Sequence, residues 1–309
     1  MKKLLALTSA IVAGFATSAS ADVAVSGSGK IGIINDGAAT SNKTQVQMGA
    51  GVSFDLSTTT ANGMTISTSM GLTRTTSVAD DTAAVGGGNV FTFATDGMSM
   101  SIGHQKVVGR GTGAVGSVIS DFMANESIGS SAEVDLDDVK GQGVQISTSM
   151  GSASVAFSYN WDAAPNENKG STDATTSQMG VSTSIPMGDI TLGVGYAAYD
   201  DSTTNNTTSG ASVAYAVGGG TLTVGYQSTT ELNNNGTATS GNYKGSLDAD
   251  TSFGVGYASI KEGSNSSTKT TANLSRSLGG GASVFAEIDN RSGAGTTGTA
   301  FSVGTSVSF

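Results

Sequence analysis

The residues able to do chemistry gather in one part of the 309-residue chain. The stretch "SSAEVDLDDVKG" carries Glu133, Asp135, Asp137 and Asp138, with Asp121 upstream of it. Before both lies "SIGHQKVVGRG", with His104, Lys106 and Arg110. Carboxylates packed this closely have three uses. They can ligate a hard cation such as Ca²⁺ through oxygen, set a field that acts on passing ions, or solvate an exposed loop. The alternating-ligand calcium loop with its central glycine is absent, so a structural Ca²⁺ site would rest on Asp135, Asp137 and Asp138 alone. Nucleophilic catalysis finds little to work with. His104 is the one histidine, cysteine is missing, and serine is so frequent that a Ser–His–acid grouping carries no information. The chain therefore reads as a non-enzyme without a cofactor. The question becomes what holds these charges in place.

The positioning elements are strands. After residue 22 no apolar run reaches the roughly 20 residues of a membrane helix, whereas two-residue alternation recurs almost throughout. In 45–56, Val46, Met48, Ala50, Val52, Phe54 and Leu56 share one face, and Gln45, Gln47, Gly49, Gly51, Ser53 and Asp55 share the other. The pattern predicts sixteen strands, at 22–34, 44–56, 64–74, 88–95, 98–107, 142–149, 152–161, 176–186, 190–200, 209–217, 221–229, 239–247, 251–260, 268–278, 282–291 and 298–309. Seven joints are short, among them Asp96-Gly97 and Gly188-Asp189, where Gly and Asp tolerate the positive φ of tight hairpins. Eight are longer Asn/Ser/Thr/Gly stretches, at 35–43, 75–87, 108–141, 162–175, 201–208, 230–238, 261–267 and 292–297. The outsized third of these, 108–141, holds the carboxylates.

Short turns alternating with long loops are the rhythm of an outer-membrane barrel. A sheet in lipid must close, because no water is there to satisfy an open edge. An even strand count lets 22–34 pair antiparallel with 298–309. In that last strand Phe301, Val303, Val307 and Phe309 face away from Ser302, Gly304, Ser306 and Ser308. Sixteen strands are wide enough to enclose an aqueous channel. The expected fold class is all-β, a 16-stranded antiparallel transmembrane β-barrel with short periplasmic turns, long external loops and 108–141 as a constriction loop. Tyr159, Trp161, Tyr196, Tyr199, Tyr226 and Tyr257 fall late in their strands, which suits an interfacial aromatic girdle.

The remaining composition fits export. "MKKLLALTSAIVAGFATSASA" has a basic start, a short apolar run and small residues at its end, the pattern of a secretory signal peptide. Residues 1–21 are read as that signal and 22–309 as the barrel. Removing them leaves 288 residues, with 12 basic against 24 acidic. That excess of acid argues against nucleic acid as a partner. Charged residues make up 12% of the chain, about half the usual share of roughly 25%. The alternative of a secreted structural or adhesive surface β-protein shares this profile. It requires a fixed short repeat, and none is found.

The signal peptide, the strand rhythm, the long third loop and the terminal "VGTSVSF" together resemble the Gram-negative general porins, most of all the short sixteen-stranded type of alphaproteobacteria. The resemblance implies a homotrimer in the outer membrane, in contact with lipid and lipopolysaccharide. It implies passive diffusion of small hydrophilic solutes and ions through a water-filled channel. It also makes Phe309 part of the signal read by the barrel-assembly machinery. Loop 108–141 would then fold inward, bringing Asp121, Glu133, Asp135, Asp137 and Asp138 opposite basic wall residues. Lys30 is a wall candidate, because Val25, Ile31 and Ile33 of its strand point outward. Many porins have Gly-Arg and an amide residue just before this loop. Here Gly103-His104-Gln105 stands there, with His104 in the arginine's place and Lys106 or Arg110 as other sources of positive charge. The family's Pro-Glu-Phe-Gly-type loop signature is absent. With acids in excess, a mild cation preference is expected.

Overall fold

The computed structural model describes residues 20–37, 44–76, 81–87, 90–116, 118–119, 141–162, 177–200, 205–230, 235–293 and 297–309. The predicted signal segment up to residue 19 lies outside them. The strands are β1 (Ser20–Asp36), β2 (Thr44–Thr59), β3 (Thr65–Thr76), β4 (Asp81–Gly87), β5 (Val90–Thr95), β6 (Met98–Gln105), β7 (Gly141–Met150), β8 (Ala153–Asp162), β9 (Ser177–Met187), β10 (Ile190–Asp200), β11 (Asn205–Val217), β12 (Gly220–Thr230), β13 (Gly236–Ser246), β14 (Thr251–Glu262), β15 (Asn265–Gly279), β16 (Ala282–Gly293) and β17 (Gly298–Ser308). No helix occurs among the described residues.

Seventeen segments make sixteen staves. β4 and β5 both pair with β3, end to end. From Ser67↔Thr92 to Met70↔Gly87, β3 advances three residues while the facing chain covers five. The stave therefore carries two extra residues where its register shifts. This corrects the expectation of a loop over 75–87, in which 75–76 belong to β3 and 81–87 form β4. The result is a closed 16-strand antiparallel barrel. Closure runs from Ser28↔Ser308 to Asp36↔Ala300 between β1 and β17. Its last rung is reciprocal, with Gly27 N–H donating to Phe309 O and Phe309 N–H donating to Gly27 O, both at 3.0 Å.

Alternation sets the inside and the outside. In β17, Ser302 is 2% exposed and Val303 50%. The apolar residues face out and the small polar ones face the lumen, the reverse of a soluble sheet and the arrangement lipid demands. Tyr159, Trp161, Tyr196, Tyr226 and Tyr257 lie on the outer face as expected. Tyr199 does not. It belongs to the inward set of β10 with Gly195 and Ala197, and is buried.

Turn chemistry explains where staves end. Gly188 (φ 62°) opens the two-residue turn to β10. Gly263 (φ 57°) does the same between β14 and β15, where Glu262↔Asn265 closes the ladder. The long loop expected at 261–267 is thus a tight turn at Gly263-Ser264, and Asn265, Ser266 and Ser267 are strand. The polar start of β11, expected as loop to 208, is likewise strand. There the hydroxyls of Thr208 and Thr229 meet at 2.9 Å inside the wall.

Candidate functional site

After β6 the chain turns back into the barrel. Residues 106–116 and 118–119 lie along the inner wall, and main-chain groups among them are met there by side chains of successive staves. Ser158 of β8 accepts the N–H of Val108 at 2.8 Å. Asn160 donates to Gln105 O at 2.6 Å. On β12, Gln227 donates to Arg110 O at 2.8 Å. On β13, Ser240 accepts from Val115 N–H at 2.9 Å and Asn242 donates to Gly116 O at 2.6 Å. Buried backbone groups need such partners, and the wall supplies them in order around the barrel. Farther on, Ile119 packs with Ile34 of β1 and Ala300 of β17. Under the loop, Ser147, Ser154, Ser182, Ser212, Thr221 and Thr223 line a cavity of about 900 Å³, with Lys244 as the one charged side chain among the described residues around it.

The wall from β15 to β1 carries the charge. Strand register sets Lys269 against Arg291, Thr271 against Asp289, and Asp289 against Ala300. Arg291 reaches Asp289 at 3.4 Å and Asp36 at 3.5 Å. Glu287 accepts a hydrogen bond from the Ser302 hydroxyl at 3.0 Å. Asp289 is fully buried. Such a carboxylate stays charged only beside a cation, which Arg291 provides.

Of the residues singled out from the sequence, Lys30 faces the lumen. Its alkyl stem crosses the gap over Gly49, where a Cβ would sit 3.3 Å from its Cγ and Cε. Arg110 rides on the inward loop and is 6% exposed. Lys106 is exposed just past the end of β6. His104 falls on the outer face with Met98, Met100 and Ile102, because β6 keeps its two-residue alternation against β7 up to Gln105. The inward member of that pair is Gln105. Asp121, Glu133, Asp135, Asp137 and Asp138, and with them the Ca²⁺ candidate, lie outside the described residues. Among the described residues no group of three metal-ligating side chains occurs. Sequence reading missed Asp36, Lys269, Glu287, Asp289 and Arg291. The signal was there, since Glu287, Asp289 and Arg291 alternate with the outward Ile288.

A closed barrel with an apolar outer face, a polar lumen and a loop folded into it defines a membrane pore. A family model described as Gram-negative porin matches residues 6–296, and the chain belongs to that family. It is an outer-membrane channel for the passive diffusion of small hydrophilic solutes and ions. Several solved structures share the fold. A porin refined at 1.8 Å resolution aligns with a TM-score of 0.72 at 16% identity, over 93% of this chain and 100% of that one. A loop L8 deletion mutant of the outer-membrane protein OmpT of Vibrio cholerae aligns with a TM-score of 0.73 at 14% identity, over 94% and 99%. A triple mutant of the Rhodopseudomonas blastica porin gives 0.60 at 17% identity, over 93% and 100%. No curated protein sequence matches the chain significantly. Nothing in these likenesses favours a secreted adhesive role.

Proposed function

We propose that passage through this porin is decided where the inward loop faces the charged wall. Arg110 on the loop and Lys30, Asp36, Lys269 and Arg291 on the staves act on the permeant ion. Asp121, Glu133, Asp135, Asp137 and Asp138 add negative charge from the rest of the loop, and Lys106 stands at its entrance. No bond of the solute is made or broken. The observation that carries this reading is the seat of residues 106–116 inside the lumen, held by Ser158, Gln227, Ser240 and Asn242. Charges near a narrow passage act on an ion more strongly than distant ones, which salt screens over about 8–10 Å. The acid excess then gives a mild cation preference. The working unit is a homotrimer, as for the trimer form of the V. cholerae protein that shares this fold. Phe309 serves as the assembly signal.

Purified protein in planar lipid bilayers tests the proposal. Stepwise ohmic currents grouped in threes are expected, with a reversal potential in a salt gradient favouring cations. Strong anion selectivity would overturn the assignment of the field, and single unlinked steps the trimer.

A further inference from the structure

We infer that four wall glycines, Gly180, Gly195, Gly210 and Gly225, form a trough that seats the inward loop and thereby sets the width of the channel. This rests on the reading of 106–119 as the constriction. The glycines occupy inward positions on β9, β10, β11 and β12, one per stave, and Gly195 and Gly210 are direct partners. None sits in a turn and none has the positive φ that would call for glycine. Glycine inside a strand weakens it and marks a close approach of another backbone. That approach is visible at each position. A methyl on Gly180 would lie 2.9 Å from the carbonyl carbon of Val108. On Gly195 it would meet Gly109 O at 2.7 Å, and on Gly210 the carbonyl carbon of Thr112 at 2.6 Å. On Gly225 it would meet the carbonyl carbon of Gly113 at 2.9 Å and a methyl of Val115 at 2.8 Å.

The opposing atoms are mainly backbone, so no side-chain rotation relieves the overlap. Carbon atoms rest about 3.5–4.0 Å apart, so a methyl at Gly210, which meets the Thr112 carbonyl oxygen closer still, displaces the loop by at least about 1 Å. The wall blocks movement outward, which leaves the channel axis. The hydrogen bonds donated by Gln227 and Asn242 and accepted by Ser240 hold the loop in register and keep it from sliding to a new seat. Not every inward glycine is of this kind. A methyl on Gly51 of β2 finds nothing nearer than 3.4 Å, ordinary contact.

The test compares unitary conductance in planar bilayers for wild type, Gly210→Ala, Gly225→Ala and Gly51→Ala. Each is made in the full chain and again with residues 109–116 replaced by a short Gly/Ser linker. Folded barrel is scored by heat-dependent gel mobility. In the full chain, Gly210→Ala and Gly225→Ala are expected to lower conductance and the size of the largest solute admitted, while Gly51→Ala matches wild type. With the loop shortened, all three are expected to conduct like their parent. Should the two trough variants fail to assemble in the full chain yet assemble with the short loop, the clash with the loop is established directly. Failure in both backgrounds, or wild-type conductance in the full chain, overturns the trough. A wild type that conducts nothing overturns the channel reading instead.

Discussion

Along β8 to β13 the lumen presents Ser158, Asn160, Gly180, Gly195, Gly210, Ser212, Gly225, Gln227, Ser240 and Asn242. Along β15, β16 and β1 it presents Lys269, Glu287, Asp289, Arg291, Asp36 and Lys30. The first wall is shaped and, where it meets the loop, neutral, with Lys244 lying below, and it holds a backbone by close approach and single hydrogen bonds. The second is ionic and holds itself, through Arg291 with Asp289 and Asp36. A loop laid on ionised residues would have to desolvate them. Laid on glycine, serine and amide side chains, it needs only one partner for each buried polar group. The contrast assigns geometry to one half of the barrel and field to the other, so the two properties should be separable by mutation.

The largest effect is expected on the ionic side. Asp289→Ala leaves Lys269 and Arg291 adjacent across β15 and β16 without their buried counter-charge. Removing one partner of a buried pair costs about 3 kcal/mol or more. The variant should lose that stability in denaturant unfolding from detergent and shift its reversal potential toward anions. Ser212→Ala on the neutral wall should change neither. Unaltered unfolding of Asp289→Ala would break the contrast at its strongest point.

On the shaped side, Asn242→Ala strips Gly116 O of its donor, and Gln227→Ala does the same to Arg110 O. Leaving the buried Arg110 O unsatisfied costs about 1–3 kcal/mol, and the part-buried Gly116 O less. The loop then leaves its seat part of the time. Open-channel noise should rise in both variants while the reversal potential stays at the wild-type value. A shift in selectivity without added noise would mean that this wall carries field as well.

The barrel was legible in the sequence because a half-solvated strand writes its two faces as alternate residues. Val303 and Ser302 were assigned correctly on that ground alone. Where strands are polar on both faces the signal fails, so the starts of β11 and β15 read as loop. His104 shows a different failure. Likeness to a family motif assigned it to the pore, whereas the ladder of β6 with β7 sets it outside with Met100 and Ile102. Asp289 and Arg291 were readable by their alternation with Ile288 and were passed over for the denser carboxylates of the loop. The glycine trough could not be read. Glycine is common in this chain, and only the path of a loop more than sixty residues away distinguishes Gly210 from Gly51.

A smaller effect is expected at the seam where the barrel closes on itself, within the ionic wall. Deleting Phe309 removes the reciprocal rung to Gly27, two hydrogen bonds worth about 1 kcal/mol each. It also uncovers Gly27, over which the phenylalanine ring lies. Assembled yield in cells should fall, while barrels that do form should conduct as wild type. Normal yield would remove Phe309 from the assembly signal.

The smallest effect belongs to a turn outside both walls. Asp248, between β13 and β14, accepts hydrogen bonds from the N–H of Asp250 at 2.9 Å and of Thr251 at 2.8 Å, and from the Thr251 hydroxyl at 3.1 Å. The Asp250 N–H, then the Thr251 hydroxyl, hold its carboxyl below the usual value of 3.8, with Arg276 at 3.4 Å adding to this. A carboxylate favoured in the folded state lends stability above its unfolded pKa and loses it as pH falls through the folded one. Asp248→Asn should therefore be slightly less stable than wild type at neutral pH, and the difference should fade below about pH 4. The group is exposed and lies outside the lumen, so conductance and selectivity should not respond. A difference between the two proteins that persisted in acid would show that the turn is held by its shape rather than by the charge of Asp248.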